Sequence, residues 1–443
     1  MEKIGFVSLG CSKNLIDTEV MLGILRDKHM EITDDLADAD IIIVNTCTFI
    51  EKAKEESVNT ILQAAEYKKT GKCRLLIVTG CLSQQYKEEL LKEMPEIDAL
   101  LGTGSWNRIW EAVEAANQGE RACFMDDVSH LYDEHTSRMR TTPSYSAYVK
   151  IAEGCNNGCS FCIIPHVRGR LCSRPVASVV EEVKQLAADG VKEINIIAQD
   201  TTSYGVDLAG RSLLPDLLRE LVKIDGVRWI RLFYLYPSYF TDELMNLIVE
   251  EEKICPYVDL PLQHISQSVL KRMNRRDSEE DVRNLMKKLC SHGRKLTLRS
   301  TFIVGFPGET EEEFEELCDF VDETEFDDVG VFTYSQEEGT AAARMDGQIP
   351  EDVKEERYHA LMAIQAKVSE RRNQELEGTI HTFLVESIQE EGGVRQAVGR
   401  IEVQAPEVDG LTYLEDAETV QPGDMVQVRI VQGFAYDLVA ELV

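Results

Sequence analysis

Short apolar runs alternate with amphipathic stretches over the first 125 residues of the chain. Three of the runs, Ile4–Leu9, Ile41–Asn45 and Leu75–Thr79, have the length and composition of buried parallel strands. The stretches between them, such as Asp17–Asp27 and Lys52–Tyr67, have helical periodicity. The pattern therefore predicts an N-terminal α/β domain of flavodoxin-like type.

The same alternation returns in residues 147–375, after a linker predicted at 126–146 that contains His130, His135 and Pro143 but no periodic pattern. Predicted helices include Val176–Ala188 and Glu311–Val321. The predicted strands are Ala147–Ala152, Glu193–Ala198, Trp229–Tyr234, Tyr257–Pro261, Thr297–Val304 and Val329–Thr333. About six β/α units are visible, which predicts a partial (β/α)6 TIM-like barrel with its chemistry at the carboxyl ends of the strands.

The end of the chain changes to a β pattern. A charged helix is predicted over Glu351–Leu376, and residues 376–443 then alternate between apolar and polar positions with Gly and Pro between the runs. The candidate strands are Thr379–Ile388, Val394–Val403, Met425–Val431 and Ala435–Val443. A small five-stranded all-β barrel fits this pattern, which makes the predicted fold an α/β multidomain protein.

Composition narrows the class of protein. Of the 443 residues, 43 % are hydrophobic, the start has no signal-peptide pattern, and no apolar run approaches the ~18 residues of a membrane span. We therefore expect a cytoplasmic protein with no membrane partner, in which most of the twelve cysteines are reduced thiols or metal ligands. The net charge of −32 opposes indiscriminate binding to nucleic acid.

Three cysteines, Cys155, Cys159 and Cys162, have C-x-x-x-C-x-x-C spacing. Three thiolates this close can hold three irons of a cubane iron–sulfur cluster, which usually takes four cysteines. The missing fourth ligand would leave one iron open to a small molecule. A zinc site with His166 as its fourth ligand, or three structural thiols, are the alternatives from the residues alone.

Each of the first three predicted strands runs into a cysteine: Cys11, Cys47 or Cys81. Ligands of an open parallel sheet bind beyond the carboxyl ends of its strands, so these thiols are predicted to share one edge and form a second three-ligand metal site. The alternative is three small buried side chains. The other cysteines are isolated in the sequence and are given no site: Cys73, Cys123, Cys172, Cys255, Cys290 and Cys318.

The combination of motifs resembles a known family. Phe161 completes a C-x-x-x-C-x-Φ-C pattern similar to that of the radical S-adenosylmethionine (SAM) enzymes, and Gly305-Phe-Pro-Gly-Glu309 and the β tail follow in order. With the strand-end cysteines, the whole chain resembles the methylthiotransferases, which have an N-terminal cluster domain, a partial barrel and a C-terminal TRAM domain. Ser8–Asp17 and Leu260–Ser266 look like the branch that modifies an aspartate of small-subunit ribosomal protein S twelve, although Ser12 stands where that branch usually has proline.

The resemblance implies two [4Fe–4S] clusters and SAM as cofactors. Cys155, Cys159 and Cys162 would bind the cluster that chelates SAM and cleaves it to a deoxyadenosyl radical. Cys11, Cys47 and Cys81 would bind an auxiliary cluster whose open iron carries the sulfur. One SAM would methylate that sulfur, and a second would yield the radical that abstracts a hydrogen from the aspartate β-carbon. An electron donor and a sulfur donor are also implied.

Five further residues are predicted to contact SAM, and three of them have a structural alternative. Phe161 would stack near the adenine or pack in the core. Gln199 and Asp200 end a strand, where Asp200 suits ribose hydroxyls, and Arg299 suits the SAM carboxylate; an internal salt bridge is the alternative for both charged residues. Gly305 lies in a tight turn that lets backbone approach a ligand.

For His264 and for the basic segments after the cysteine loop, the sequence supports a structural role at least as well as a functional one. His264 is expected to be a core residue rather than a substrate contact. Three roles are open for the basic segments Arg168-Gly-Arg170 and Ser173-Arg174: they help to bind the substrate, they close the cluster, or they form a solvated loop.

The charge of the tail bears on the substrate. Residues 375–443 carry 14 acidic and 3 basic residues, a net charge of −11. An RNA-binding barrel would offer basic grooves with stacking aromatics, and this one has aromatics but few cations. A basic ribosomal protein is the better electrostatic match, and tRNA is an unlikely partner. The alternatives are a tRNA adenosine methylthiotransferase and a non-catalytic metal-binding module.

Overall fold

The computed structural model describes residues 2–128, 130–292, 296–391, 394–415 and 417–443. Ser129, in the predicted linker, lies outside the described residues. Three bodies follow one another along the chain: an α/β sheet domain, an open barrel and a small closed β-barrel. Within the described ranges, no helix is both long and apolar enough to cross a membrane.

The N-terminal domain is a six-stranded parallel sheet of order β2-β1-β3-β4-β5-β6. Its first five strands have the 2-1-3-4-5 order of flavodoxin-like folds, and β6 extends the edge. Strands β3 and β4 are buried throughout because helices cover both faces of the sheet. The elements are β1 Lys3–Ser8, α1 Ser12–Asp27, β2 Glu31–Thr33, β3 Ile41–Thr46, α2 Glu51–Thr70, β4 Leu75–Gly80, α3 Cys81–Gln85, α4 Lys87–Glu93, β5 Ala99–Leu101, α5 Ile109–Asn117 and β6 Ala122–Phe124.

The middle of the chain folds as an open barrel of six parallel strands in two three-stranded sheets, β7-β10-β11 and β12-β13-β14. A β-hairpin of β8 and β9 brackets the C-x-x-x-C-x-x-C loop. The elements are β7 Ser146–Lys150, β8 Ala152–Glu153, α6 Ile164–Val167, β9 Cys172–Ser173, α7 Val176–Ala188, β10 Glu193–Ile197, α8 Val206–Ala209, α9 Leu214–Leu221, β11 Trp229–Leu232, α10 Asp242–Glu250, β12 Tyr257–Asp259, α11 Gln267–Arg272, α12 Glu279–Cys290, β13 Thr297–Val304, α13 Glu311–Thr324 and β14 Asp328–Thr333.

Alternation along β13 separates the two faces of the barrel wall. Leu298, Phe302 and Val304 pack into the large core beneath the surrounding helices. Because strand side chains alternate, Arg299 and Ile303 lie on the opposite, inner face. The predicted partial (β/α)6 barrel is therefore confirmed, with its interior left open to the neighbouring domains.

A long helix, α14 (Glu351–Gln374), leads to a closed five-stranded barrel of order β15-β16-β17-β19-β18. Its strands are β15 Ile380–Glu391, β16 Val394–Ile401, β17 Thr412–Leu414, β18 Met425–Gly433 and β19 Leu438–Leu442. The predicted strand number is confirmed, although β17 is too short for an alternating pattern to reveal it.

Buried ion pairs attach the small barrel to the open one. Arg400 of β16 contacts Glu193 of β10 at 2.8 and 3.0 Å, and Glu193 also contacts Arg231 at 3.4 Å. All three side chains are at most 1 % exposed. Burial alone would raise the pKa of Glu193, but the Arg400 guanidinium outweighs it and holds that pKa at about 2.

Candidate functional site

The strand-end cysteines lie at one edge of the N-terminal sheet. Cys11, Cys47 and Cys81 follow β1, β3 and β4, which are neighbours in the sheet. The loops that carry them are packed closely: a Cβ added to Gly10, which has a φ of +86°, would lie 2.9 Å from the Cys47 sulfur. The topology therefore brings together three thiols that are far apart in the sequence.

Asn14, in the first turn of α1, ties these three loops to one another. Its side-chain amide donates to the carbonyl of Leu9 at 2.8 Å and to that of Thr46 at 2.9 Å, the residues two before Cys11 and one before Cys47. Its carbonyl oxygen accepts a hydrogen bond from the Cys81 thiol at 3.8 Å. A fully buried asparagine with both ends bonded holds this edge of the sheet in one arrangement.

Two of these thiols, Cys47 and Cys81, lack the electrostatics of nucleophiles. Burial raises the pKa of Cys81 to about 12 and also raises the pKa of Cys47. A reactive cysteine would need a lowered pKa, whereas a bound cation would stabilise these thiolates directly. The donor set fits an iron–sulfur cluster, for which thiolate is the usual ligand.

The second cysteine group occupies the loop between β8 and α6. The backbone N–H of Cys155 donates to the carbonyl of Gly169 at 3.1 Å, and the Asn157 N–H donates to the Cys155 sulfur at 3.4 Å. Burial raises the pKa of Cys155 to about 11 and that of Cys162 to about 12. As for Cys47 and Cys81, these buried thiols would be stabilised as thiolates by a bound iron–sulfur cluster.

A segment after α11 supports this loop. The carbonyl of Met273 accepts the Ser160 N–H at 2.9 Å, and Asn274 donates to the carbonyl of Gly158 at 2.8 Å. Arg275 lies 4.0 Å from the Cys159 sulfur and stacks over the Tyr236 ring at 4.0 Å. Arg275 is thus a positive charge beside the cysteine loop that the sequence analysis did not single out.

In the part of the chain that the structure describes, no group of three or more His, Cys, Asp or Glu side chains is arranged to hold one metal ion. Thiolates around a cubane bind different irons, so they need not converge on one point as zinc ligands do. His166, the fourth ligand in the zinc alternative, is exposed on α6.

The two cysteine groups meet at the interface between the domains. Cys81 forms one buried apolar cluster with Ile163 and Val167, and Ile163 follows Cys162 in the chain. Helix α3, which begins at Cys81, contacts helix α6. The sites predicted separately from two parts of the sequence are therefore adjacent.

Arg168 joins the same two groups by a buried ionic network. Its guanidinium contacts Asp17 at 2.8 Å and Glu153 at 3.1 Å, and it also donates to the side-chain carbonyl of Asn14. Lys150 contacts the same two carboxylates at 2.5 and 2.7 Å. Only 3 % of Arg168 is exposed, so the solvated-loop reading of this residue is wrong.

Two of the residues predicted to contact SAM lie against the second cysteine loop. Asp200 is 2 % exposed and accepts hydrogen bonds from Asn157 at 2.7 Å and from Thr202 at 2.6 Å. Gln199 donates to Glu153, and its own side-chain oxygen is buried without a hydrogen-bond partner. Asp200 thus supports the cysteine loop, and Gln199 keeps an acceptor available.

Phe161 and Gly305 have packing roles in the structure. Phe161 lies edge-on to Phe306 with the ring centroids 6.4 Å apart, beside the apolar cluster around Met273. Gly305 has a φ of +72°, and a Cβ there would lie 2.3 Å from Cγ of Lys354. The contact of Phe161 matches its structural alternative, and contact of either residue with SAM stays a prediction.

Arg299 and His264 also have their side chains engaged within the protein. Arg299 contacts Asp259 at 3.0 Å and Asp409 of the small barrel at 3.3 Å, the internal salt bridge named as its alternative. His264 is fully buried, its Nδ1 accepts the Ser266 N–H at 3.0 Å, and burial lowers its pKa to about 3. The expected core role of His264 agrees with this environment.

Comparison with known proteins places each body in a family. Residues 3–102 match the family described as Uncharacterized protein family UPF0004, residues 149–321 match the Radical SAM superfamily, and residues 378–443 match the TRAM domain. Among solved structures, the radical SAM methyltransferase TsrM from Kitasatospora setae has a TM-score of 0.55 at 16 % identity, with 75 % of each chain covered. That likeness shows the fold alone.

Full-length relatives are much more similar. A protein named ribosomal protein uS12 methylthiotransferase RimO from Geotalea uraniireducens is 51 % identical over 100 % of this chain and 98 % of its own length. The protein of that name from Syntrophotalea carbinolica is 53 % identical over 100 % of this chain and 97 % of its own. The expected use of SAM and [4Fe–4S] clusters is confirmed by this relationship. The chain belongs to the uS12 methylthiotransferase family of radical SAM enzymes.

Proposed function

We propose that this enzyme adds a methylthio group to the β-carbon of an aspartate in ribosomal protein uS12, using SAM both as methyl donor and as radical source. The observation that carries the proposal is the contact of Cys81 with the segment that follows Cys162, which puts two three-cysteine groups side by side. Sulfur insertion at an unactivated carbon needs a radical source and a sulfur carrier close together.

Six cysteines are the proposed cluster ligands. Cys155, Cys159 and Cys162 would hold the cluster that binds SAM, and Cys11, Cys47 and Cys81 the auxiliary cluster. When bound, these groups supply the electron that cleaves SAM and the site that carries sulfur. The chain's own residues fix the geometry. Asn14 holds the loops of the auxiliary cysteines, whereas Asp200 and Arg275 support the loop of the SAM-binding cysteines. The apolar cluster that includes Cys81 excludes water between the two cysteine groups.

The substrate is proposed to be a basic protein. The relatives are named for uS12, and the acidic tail, with its net charge of −11, suits a cationic partner better than it suits RNA. The two full-length relatives named above carry the uS12 name and so do not favour the tRNA alternative, and the family relationship excludes a non-catalytic metal-binding module. We also propose a reduced electron donor, a sulfur donor and a place of action in the cytoplasm, where ribosomal proteins are made.

The test is a transfer assay with purified components. Enzyme with both clusters reconstituted under anaerobic conditions is incubated with uS12, a reductant, sulfide and methyl-labelled SAM. The label is expected on one aspartate of uS12. Cys81→Ala is expected to keep SAM cleavage and to lose transfer, whereas Cys290→Ala, at an exposed position on α12, is expected to keep both. Undiminished methylthio transfer by Cys81→Ala would contradict the proposed role of the auxiliary cluster.

A further inference from the structure

Lys13 is a buried lysine at the junction of the two cysteine groups. It is the second residue of α1, two positions after Cys11, and is 6 % exposed. Its Nζ lies 3.0 Å from the centroid of the Tyr234 ring. Across the described ranges of the chain, its ammonium group has no hydrogen bond or ion pair.

This lack of a partner distinguishes Lys13 from the other lysine buried nearby. Lys150 has two carboxylates within 2.7 Å, as a buried ammonium requires. A cation–π contact offsets only part of the cost of removing an ammonium group from water. The ammonium group of Lys13 is therefore placed to receive an anion in direct contact, which no side chain in the described part of the chain supplies.

The position of Lys13 indicates which anion would fit. Tyr234 follows β11 at the carboxyl end of the barrel. Besides burial, the groups that act most strongly on the charge of Lys13 are those of Cys11, Arg168, Asp259 and Glu153. The ammonium thus lies between the predicted auxiliary cluster and the barrel strand ends, where substrate would have to enter to meet the sulfur.

We propose that Lys13 binds the side-chain carboxylate of the target aspartate and so selects aspartate as the substrate residue. This inference rests on the proposed function. The reacting β-carbon of aspartate is bonded directly to the carboxylate carbon, so a group that fixes the carboxylate also fixes the carbon beside the auxiliary cysteines. The carboxylate of SAM is the other source of such an anion, but SAM is assigned to the open iron of the other cysteine group.

The experiment compares two forms of uS12, one with the natural aspartate and one with asparagine in its place. Dissociation constants for both forms, and for SAM, are measured by calorimetry on the full chain with reconstituted clusters. The variants are Lys13→Met, Lys13→Arg and a matched control, Lys52→Met, which removes an exposed charge from α2. Transfer of the methylthio group to the natural form is measured in parallel.

The wild type is expected to bind the aspartate form at least about tenfold more tightly, or about 1.4 kcal/mol. Lys13→Met should remove this preference and leave SAM affinity unchanged, Lys13→Arg should retain part of it, and Lys52→Met should retain all of it. A wild type that does not distinguish the two forms overturns the inference, as does a Lys13→Met enzyme that keeps the preference. The inference is also overturned if Lys13→Met weakens SAM binding but keeps the preference for the aspartate form, because Lys13 would then be a SAM contact.

Failure of the proposed function has a different signature. A wild-type enzyme that cleaves SAM but modifies no residue of uS12 would remove the proposed function and this inference together. A wild type that modifies uS12, with an aspartate preference unaltered by Lys13→Met, would remove the inference alone.

Discussion

At the scale of single residues, the site depends on polar side chains that gain their roles only from the fold. The cysteines could be predicted because their spacing and their positions after strands carry the chemistry. Asn14 and Arg168 could not, since Asn14 bonds Thr46, 32 positions away in the sequence, and Arg168 bonds Asn14, 154 positions away. The one sequence signal for Arg168 was a basic segment next to the cysteine loop, which is equally typical of a solvated turn.

Asn14→Ala should destabilise the auxiliary cluster selectively. It removes the side-chain bonds to the carbonyls of Leu9 and Thr46, so two cysteine loops lose their common support. Iron content after reconstitution should fall by about half, while SAM cleavage, which depends on the other cysteine group, continues. Asn117→Ala, at the exposed end of α5, serves as the control. Full iron loading of Asn14→Ala would contradict this role.

Glu193→Gln should destabilise the attachment of the small barrel. The variant leaves Arg231 and Arg400 buried without their carboxylate, at a cost of about 3 kcal/mol or more in the free energy of unfolding at pH 7. Glu441→Gln, in an exposed ion pair with Arg429, should cost less than about 0.5 kcal/mol. Equal effects of the two variants in urea denaturation would show that the buried network is unimportant.

The lowered pKa of Glu193 predicts that the free energy of unfolding depends on pH. The pKa of Glu193 is about 2 in the folded protein and about 4.3 when unfolded, so its stabilisation is complete above about pH 5 and is lost as the pH falls towards 2. The difference in unfolding free energy between wild type and Glu193→Gln should therefore narrow between about pH 4.5 and pH 2. A constant difference over that range would contradict the pairing with Arg400.

At the scale of elements, agreement between sequence and structure depends on the length of the periodic pattern. Helix α7 and strand β13 begin and end where the sequence predicts, because long amphipathic or alternating runs fix their bounds. Helix α1 begins at Ser12, five residues earlier than predicted from its apolar positions. Its first turn is occupied by polar residues that serve the site, so hydrophobic periodicity does not reveal it.

Helix α13 offers a test of a local interaction at its first turn. Thr310 and Glu313 form a capping box, in which each side chain bonds the backbone N–H of the other residue. Thr310→Ala should lower the free energy of unfolding by about 1 kcal/mol. Thr70→Ala, which removes only an exposed bond at the end of α2, is the control and should have little effect. Similar values for both variants in urea denaturation would contradict the capping role.

At the scale of the whole molecule, the domains meet where the two cysteine groups meet. The Arg168 network links the N-terminal domain to the barrel, and Lys54 of α2 adds an ion pair with Glu337 at 2.6 Å. The sequence could predict three bodies and two sites but not their contact, because nothing in a linear pattern reports how domains dock. The adjacency that joins the two sites is a finding of the structure.

Arg168→Met should uncouple the two sites. The variant leaves Asp17 and Glu153 with Lys150 as their remaining cation and breaks the link to Asn14. SAM cleavage should continue, while methylthio transfer should fall by at least about tenfold, since small displacements of reacting groups are costly. Arg170→Met, on an exposed neighbouring side chain, is the control. Parallel loss of both activities would indicate a general loss of structure instead.

The central claim is that the two adjacent cysteine groups together modify uS12. Its most direct test is mass spectrometry of uS12 isolated from cells with and without this chain. The account predicts a methylthio group on the β-carbon of one aspartate, present only in cells that contain the enzyme and absent when it carries Cys81→Ala. An aspartate that is unmodified in both kinds of cell, together with an altered tRNA nucleoside, would contradict it.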